Sequence, residues 1–295
     1  MKAKVNKILV VVNPVSGDVK KDPILERLRK LAPPKAKIQI FTTTGQNDRE
    51  LLGQQMDSFL PDRLVVIGGD GTLHLVTDLQ KDSTPVIGIV AAGSTNGFAS
   101  ELQLPSNCDD ALKVALGPRT LTVDALLLNG RTVLHTADVG LNAELIQNYD
   151  AGGIRGRLGY VIQSVPTLLE TKVPYSFSIA VNGQTMEREA IMIVCTHCKR
   201  FGTGVIINPD GIIDDGKFEL LVFKKLDLVN IAKTLLDTVQ MDADFVEVIS
   251  TTEARVTCNV PIALQIDGES MTPVKELYAR TLPKAFEFAI GEKLV

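Results

Sequence analysis

The first 120 residues alternate between short apolar runs and longer amphipathic stretches. The apolar runs have the length of strands and are Ile8–Val12, Ile38–Phe41, Leu64–Ile67 and Val86–Val90. The stretches with helical periodicity are Asp22–Leu31, Asp48–Phe59, Thr72–Leu79 and Asp109–Leu116. Strands that are apolar throughout are typical of parallel sheets buried on both faces. The pattern predicts a doubly wound α/β domain, in which ligands bind beyond the carboxyl ends of the strands.

From about Thr120 the pattern changes to strands joined by tight turns. Asn129-Gly130 and Asn182-Gly183 each lie between apolar runs and suit type I′ hairpins. The predicted strands are Leu121–Leu128, Thr132–Asp138, Phe177–Val181, Thr185–Thr196, Lys217–Phe223, Phe245–Cys258, Ile262–Ile266, Glu276–Arg280 and Phe286–Ile290, with helices at Arg157–Leu169 and Leu228–Val239. This part is predicted to be a mainly antiparallel β-sandwich. The predicted domains are residues 1–119 and 120–283, and it is left open whether the last strand, about 284–295, returns to the first domain.

Composition narrows the class of protein. The 295 residues carry a net charge of −4, which argues against a dedicated nucleic-acid binder. No apolar run approaches the roughly 18 residues of a membrane span, and the short run after the basic amino terminus does not resemble a signal peptide. We therefore expect a cytoplasmic protein, with peripheral membrane contact left open. Cys195 and Cys198 have CxxC spacing, but a buried strand is favoured over a metal or redox site there.

Three predicted strands end in turns rich in glycine and hydrogen-bonding residues. The strongest signal is Gly68-Gly69-Asp70-Gly71-Thr72, where the glycines permit close backbone approach to a ligand and a helix follows at once. Phosphate suits such a turn, and Asp70 fits if it holds Mg²⁺ or accepts a proton from a hydroxyl. An N-cap role for Asp70 is the structural alternative. The other turns are Asn13-Pro14-Val15-Ser16-Gly17 and Ala92-Gly93-Ser94-Thr95-Asn96-Gly97.

Two common nucleotide-binding fingerprints fail in these turns. The third glycine of the dinucleotide motif is replaced by His74, and Ser94 replaces the lysine of a P-loop that would begin at Gly88. Near the carboxyl end, Asp267-Gly268-Glu269 is a hairpin signal that, taken alone, favours a solvated turn.

Taken in order, these turns resemble the diacylglycerol kinase catalytic family, which includes bacterial soluble lipid kinases and sphingosine kinases. The resemblance rests on segments spread over essentially the whole chain: Asn13–Gly17, Gly68–Thr72, Gly93–Asn96, Asp138–Ala143, Arg157–Tyr160, Gly202–Gly204, Asn208-Pro209, Asp214–Gly216 and Asp267–Glu269. Gly97 departs from the family pattern, because many bacterial members have aspartate at that position.

The resemblance implies an ATP-dependent kinase that phosphorylates a lipid hydroxyl, with ATP between the two domains. The implied nucleotide-binding residues are Asn13, Ser16, Gly17, Gly68, Gly69, Gly71, Thr72, Gly93, Ser94 and Asn96. The implied catalytic carboxylates are Asp70 and Glu269, with Asp267 beside them. A magnesium site is implied at the side chain of Asp215 and at main-chain carbonyls near Ile212 and Lys217.

The mechanistic hypothesis is in-line transfer of the γ-phosphoryl group of ATP. Asp70 is favoured as the base, with Glu269 holding metal or assisting, and an exchange of these roles is left open. Two alternatives remain: a kinase of a soluble metabolite resembling NAD kinase, and a non-catalytic nucleotide-binding regulator. The expected partners are a lipid substrate presented by a membrane surface and no nucleic acid; a homodimer is left open. The basic-then-apolar stretch Arg155–Ile162 is a candidate for membrane contact, although inward packing is favoured.

Overall fold

The computed structural model describes residues 5–79, 85–94, 96–144, 174–201, 205–225 and 244–292. The chain divides into two compact units, the first being Met1–Val123 with Lys284–Val295 and the second Asp124–Pro283. The predicted helices Arg157–Leu169 and Leu228–Val239 lie outside the described residues, as do Gly202–Gly204 and the candidate membrane stretch.

The first unit is a parallel sheet with helices between its strands. Its elements are β1 (Lys7–Val12), α1 (Asp22–Leu31), β2 (Lys37–Thr42), α2 (Asp48–Phe59), β3 (Arg63–Gly68), α3 (Asp70–Thr77), β4 (Val86–Ala91), α4 (Gly97–Glu101) and α5 (Cys108–Ala115). The strand order is β2-β1-β3-β4, and each neighbouring pair is parallel. All six residues of β3 are buried, as a central strand covered on both faces requires.

Local sequence explains where the helices of this unit begin and which faces they bury. Pro23 occupies the first turn of α1, where its missing N–H costs nothing, and Ile24 and Leu28 turn inward. The Asn107 side chain caps α5 by accepting hydrogen bonds from the N–H groups of Asp109 and Asp110, at 2.9 and 3.3 Å.

The second unit is built from antiparallel strands. They are β5 (Thr120–Leu128), which begins in the first unit, β6 (Arg131–Val133), β7 (Thr136–Gly140), β8 (Tyr175–Val181), β9 (Gln184–Ala190), β10 (Met192–Thr196), β11 (Arg200–Phe201), β12 (Val205–Ile206), β13 (Phe218–Phe223), β14 (Val246–Thr251), β15 (Glu253–Ile266) and β16 (Glu269–Ala289), which ends in the first unit. The path β14-β13-β10-β7-β15-β16 forms the main sheet, and β8 and β9 extend from β15.

The long strand β15 explains how this unit forms two layers. Its residues Ala254–Cys258 pair with β8, whereas Leu264–Ile266 pair with β7. Between these segments the pairing with β16 shifts register after Thr257, a β-bulge that bends the strand. The inward side chains form a core that includes Phe177, Phe218 and Leu264. The predicted α/β first part and antiparallel second part are confirmed.

Each of the three predicted two-residue turns adopts positive φ at both positions. The φ angles are 49° and 82° at Asn129-Gly130, 51° and 76° at Asn182-Gly183, and 49° and 87° at Asp267-Gly268. These values belong to type I′ turns, which match the twist of the flanking strands. The predicted hairpins are confirmed.

Several strand limits were predicted wrongly. The predicted strand Thr185–Thr196 is two strands separated at Ile191, whose N–H donates to the carbonyl of Phe223 at 2.8 Å. Conversely, Glu276–Arg280 and Phe286–Ile290 fall largely within the single strand β16. The pairing partners that decide these limits lie far away in sequence, so local periodicity does not reveal them.

No helix in the described residues is long and apolar enough to cross a bilayer.

Candidate functional site

The turn after β1 is folded by its own polar side chains. The Asn13 side-chain oxygen accepts a hydrogen bond of 3.1 Å from the N–H of Val15, and the Ser16 hydroxyl donates to the carbonyl of Asn13 at 3.0 Å. Gly17 has a φ of +55°, and a Cβ atom there would lie 2.6 Å from the carbonyl oxygen of Ala92. Glycine at position 17 therefore lets the first turn lie directly against the chain that follows β4.

The turns after β3 and β4 meet backbone to backbone. A Cβ atom on Gly93 would lie 2.5 Å from the Cα atom of Gly69, a distance that real Cβ atoms do not adopt. Gly68 is similarly confined, since its Cβ would lie 2.4 Å from the Thr72 hydroxyl oxygen. Within the first unit, the predicted glycine positions are thus brought together at the carboxyl ends of β1, β3 and β4.

Two hydrogen bonds close the turn after β4. The Asn96 side-chain oxygen accepts from the N–H of Gly93, and its amide nitrogen donates to the carbonyl of Gly93, both at 2.9 Å. Asn96 itself has a φ of 79°, a left-handed conformation that asparagine tolerates. Ser94 lies exposed inside this ring, and Gly71 is exposed in the first turn of α3.

The Asp70 carboxylate lies at the amino terminus of α4. It accepts hydrogen bonds from the backbone N–H groups of Asn96, Gly97 and Phe98, at 3.1, 2.8 and 3.3 Å. The N-cap of α3, the helix that begins at Asp70, is Gly69. The prediction that Asp70 caps its own helix is therefore wrong. Asp70 caps the next helix instead, and it joins the turn after β3 to the turn after β4.

Thr72 contributes a polar atom that lacks a partner. Thr72 is 5% exposed, and its hydroxyl oxygen makes no hydrogen bond to any described residue. A buried polar atom without a partner is costly. The hydroxyl oxygen lies against Gly68, where a Cβ atom would come within 2.4 Å of it, so the turn after β3 packs directly on the start of α3.

Lys21 is a functional candidate that sequence reasoning missed. It is buried, and its ammonium donates to the carbonyls of Ser16, Val19 and Ala92, the last two at 2.7 and 3.4 Å. Burial is the main cause that lowers the pKa of Lys21. This side chain ties the first turn to the third, but it follows Lys20 in a polar stretch that gives no sign of burial.

In the second unit, Asp267 is the first residue of the β15–β16 turn, and Glu269 is the first residue after the turn. The Asp267 carboxylate accepts hydrogen bonds from the N–H groups of Leu134, His135 and Thr136, at 2.9, 2.8 and 3.1 Å. Glu269 is exposed. Asp267 therefore anchors the hairpin to the β6–β7 connection, whereas Glu269 presents its carboxylate to solvent. Whether Asp70 and Glu269 act on one substrate stays a prediction.

The predicted magnesium residues share one loop. The Asp215 carboxylate accepts a hydrogen bond of 3.0 Å from the N–H of Lys217, and Ile212 is 52% exposed. The loop is held by Asp124, which accepts from the N–H of Gly216 at 2.6 Å and donates its own N–H to the carbonyl of Ile213 at 2.9 Å. Carboxylates and main-chain carbonyls are the donor types that hard cations prefer, so the residue types of this loop match the chemistry of Mg²⁺. Asp124 has no motif around it that would have indicated this role.

The first cysteine of the CxxC spacing, Cys195, behaves as a core residue. Cys195 is buried in the sandwich core, and burial is the main cause that raises the pKa of its thiol to about 12. Such a thiol stays protonated and is a poor nucleophile or metal ligand. For Cys195 this agrees with the buried strand favoured from sequence.

Comparison with known protein families agrees with this architecture. Residues 7–128 match the model of the diacylglycerol kinase catalytic domain. Residues 136–290, more than half of the chain, match the model of the YegS C-terminal NAD kinase beta sandwich-like domain. Together the two matches define a family of lipid kinases in which a diacylglycerol kinase catalytic domain is followed by a β-sandwich-like domain. The chain belongs to the diacylglycerol kinase catalytic-domain family with a YegS-type carboxyl-terminal domain, as the sequence resemblance indicated.

Individual proteins are similar to this chain in sequence or in fold. A diacylglycerol kinase of Bacillus subtilis is 26% identical over 275 residues, which cover 88% of each chain. The crystal structure of a diacylglycerol kinase from Bacillus anthracis matches with a TM-score of 0.76 at 20% identity, over 100% of both chains. An NAD kinase from Archaeoglobus fulgidus in complex with ATP matches with a TM-score of 0.56 at 15% identity, over 97% of this chain and 95% of that one. At these identities, the two solved structures establish the fold.

Proposed function

We propose that the protein transfers the γ-phosphoryl group of ATP to the hydroxyl of a lipid, with diacylglycerol or a sphingoid or ceramide-like lipid as the acceptor. The observation that carries the proposal is the contact of Gly69 with Gly93, where a Cβ atom would lie within 2.5 Å of the opposite backbone. Such close turns at the carboxyl ends of parallel strands leave backbone groups open to phosphate oxygens. Membership of a lipid kinase family supports the lipid acceptor.

The hydrogen bonds to Asp70 bear on the division of catalytic roles. A carboxylate offers about four acceptor sites, and backbone N–H groups already occupy three of those of Asp70. Glu269 is exposed, and its carboxylate accepts no hydrogen bond from a described residue. We therefore assign proton acceptance from the lipid hydroxyl to Glu269, the exchanged arrangement that the sequence left open. Asp70 orders the turn after β4 and the start of α4.

Magnesium fits the proposal in one place. Asp215, together with the main-chain carbonyls near Ile212 and Lys217, would hold Mg²⁺ through oxygen ligands. When bound there, the ion would neutralise the local carboxylate charge and stabilise the loop that Asp124 already anchors.

The proposed acceptor is an insoluble lipid, so we also propose that it is delivered at a membrane surface.

The test is ATP turnover with a panel of acceptors: diacylglycerol, sphingosine and ceramide in mixed micelles, and NAD in solution. We expect phosphorylation of at least one lipid and none of NAD. Phosphorylation of NAD alone would identify a soluble-metabolite kinase, and ATP binding without turnover would identify a non-catalytic regulator.

Two glutamate variants sharpen the assignment. Glu269→Gln should lower kcat by about a hundredfold or more, in the range for loss of a general base. Glu276→Gln is the matched control, because Glu276 is an exposed residue of the same strand that pairs with Arg255 at 3.4 Å. Equal turnover in both variants would contradict the role of Glu269.

Flotation with liposomes of phosphatidylcholine, with and without anionic lipid, tests the membrane contact.

A further inference from the structure

A buried glutamine supports the turn that carries Glu269. Gln265 is 1% exposed, and its side-chain oxygen accepts a hydrogen bond of 2.8 Å from the N–H of Gly268. Its amide nitrogen donates to the carboxylate of Asp138, which is 0% exposed. One side chain therefore connects the backbone next to Glu269 with a carboxylate inside the core.

Asp138 is fixed by its neighbours in the sheet. It lies on β7 directly opposite Gln265 in the pairing of β7 with β15, and its carboxylate also accepts from the Asn142 side chain at 2.8 Å. Burial is the main cause that raises the pKa of Asp138 to about 7, against the opposing effect of these hydrogen bonds. A buried polar network of this kind costs stability, but it holds its members in one geometry.

The other side of the turn is held as firmly. The Asp267 carboxylate accepts hydrogen bonds from three N–H groups in the β6–β7 connection and at the start of β7. In return, the N–H of Asp267 donates to the carbonyl of Thr136 at 2.8 Å. Both residues of the turn, Asp267 and Gly268, are thus tied to the interior. The exposed Glu269 side chain has no such support among the described residues, so its backbone anchors set its position.

We propose that Gln265 and Asp138 are positioning residues for Glu269, acting through the backbone of Gly268. This inference rests on the proposed function, in which Glu269 accepts a proton from the acceptor hydroxyl. Without the hydrogen bond from Gly268, the turn gains freedom and the Glu269 carboxylate leaves the reactive position for part of the time. Misplacement of a reacting group by about 1 Å can cost about a hundredfold in rate.

A double-mutant cycle tests the inference with the full-length protein. Gln265→Met keeps the volume of the side chain and removes both hydrogen bonds. We expect kcat to fall about tenfold or more, with the KM for ATP unchanged. In a Glu269→Gln background the same substitution should cause no further fall, because the group that Gln265 positions is already lost.

Thr251→Val is the matched control for the loss of a buried polar group. Thr251 is 4% exposed and precedes the opposite end of β15, and its hydroxyl hydrogen-bonds to Asn182 at 3.0 Å and Glu253 at 2.8 Å. We expect this control to lower the unfolding temperature while leaving kcat per folded molecule unchanged. If Gln265→Met lowers kcat by the same factor in both backgrounds, its role is purely structural and the proposal is overturned.

Amide hydrogen exchange gives a readout that does not depend on kinase activity. Gln265→Met should speed exchange at the Gly268 N–H, and Thr251→Val should not. Unchanged exchange at Gly268 in Gln265→Met would overturn the tether. A wild-type protein that phosphorylates no lipid would overturn the proposed function, and the catalytic part of this inference with it. A lipid-active wild type with additive effects would overturn this inference alone.

Discussion

The carboxylate of Asp70 accepts a hydrogen bond of 2.8 Å from the backbone N–H of Gly97. Gly97 is the position at which the chain departs from many bacterial family members, which have aspartate there. A carboxylate at position 97 would add a second negative charge on the residue whose N–H binds Asp70, and like charges at close range repel. Glycine at this position therefore leaves Asp70 as the anion that caps α4.

Removal of the Asp70 side chain should affect stability and turnover together. Asp70→Ala leaves three N–H groups without their acceptor, and we expect a loss of about 1–3 kcal/mol in the free energy of unfolding. Urea denaturation measures this loss, and a lipid kinase assay should show a large fall in kcat. Asp70→Asn, which keeps one acceptor oxygen, should recover most of the stability. An Asp70→Ala protein that is folded and fully active would remove Asp70 from the site.

Gly93→Ala should weaken nucleotide binding without unfolding the protein. The new methyl group forces the turns after β3 and β4 apart, because its carbon would lie 2.5 Å from the Cα of Gly69. We expect the Kd for ATP to rise about tenfold or more, about 1.4 kcal/mol, as measured by isothermal titration calorimetry.

A helical glycine of the same unit provides the control for that substitution. A Cβ atom on Gly53 in α2 would make an ordinary contact of 3.5 Å with Leu79. Gly53→Ala should therefore raise stability by about 0.5–1 kcal/mol and leave the Kd for ATP unchanged. Equal ATP affinity in both variants would contradict a nucleotide site at the Gly69–Gly93 contact.

Lys21→Met should release the turn after β1. Three backbone carbonyls lose the ammonium that joins them, so we expect a lower unfolding temperature and a higher KM for ATP. Lys20→Met is the control, since the neighbouring Lys20 is exposed. The role of Lys21 would be wrong if both substitutions changed the KM equally.

Asp138 should make stability depend on pH in a predictable direction. Its folded pKa is raised from 3.8 to about 7, so between these values the folded state holds a proton that the unfolded state has lost. Stability therefore falls as pH rises from about 4 to about 7, by about 1 kcal/mol per pH unit, and then levels off. Asp138→Asn removes this contribution, so the variant should gain stability relative to the wild type as pH rises from 5 to 8.

The difference between variant and wild type is the quantity to measure in that experiment. Burial lowers the pKa of His197 from 6.5 to about 4, which reduces stability as pH falls through the same range. This opposing contribution is present in both proteins and cancels in the difference. Urea unfolding at pH 5, 6, 7 and 8 provides the data, and parallel profiles for the two proteins would show that Asp138 does not titrate in this window.

Magnesium should stabilise the protein through Asp215. A ligand that binds only the folded state stabilises it by RT ln(1 + [L]/Kd), so the unfolding temperature rises with the logarithm of the ligand concentration above Kd. We expect MgCl₂ to raise the unfolding temperature of the wild type and of Asp214→Asn, its exposed neighbour, but not that of Asp215→Asn. The same response in all three proteins would place the ion elsewhere.

The sequence predicts a feature correctly where residues close together in the chain decide it, and incorrectly where distant residues decide it. The limits of α2 are predicted correctly because periodicity within the helix decides them, and the Asn-Gly and Asp-Gly turns are recognised because two residues decide their backbone. The short helix α4 is missed because its five residues are too few to show a period.

The roles of buried polar residues are not readable from local sequence. The Asp70 carboxylate binds N–H groups 26 to 28 residues away, and Gln265 binds Asp138 across 127 residues. The sequence around Lys21 is typical of a surface residue, but in the structure Lys21 is buried and contacts the chain that follows β4. Such partners are chosen by tertiary structure, so the sequence indicates which turns carry chemistry but not what fixes them in place.

The path of β16 has a consequence for biosynthesis. Phe288, near the end of this strand, pairs in parallel with Ile87 of β4, and residues from Lys284 onward belong to the first unit. The parallel sheet therefore receives its last strand only after the ribosome has made the whole sandwich. A nascent chain interrupted before Lys284 would expose the unpaired edge of β4, where association with other strands competes with folding.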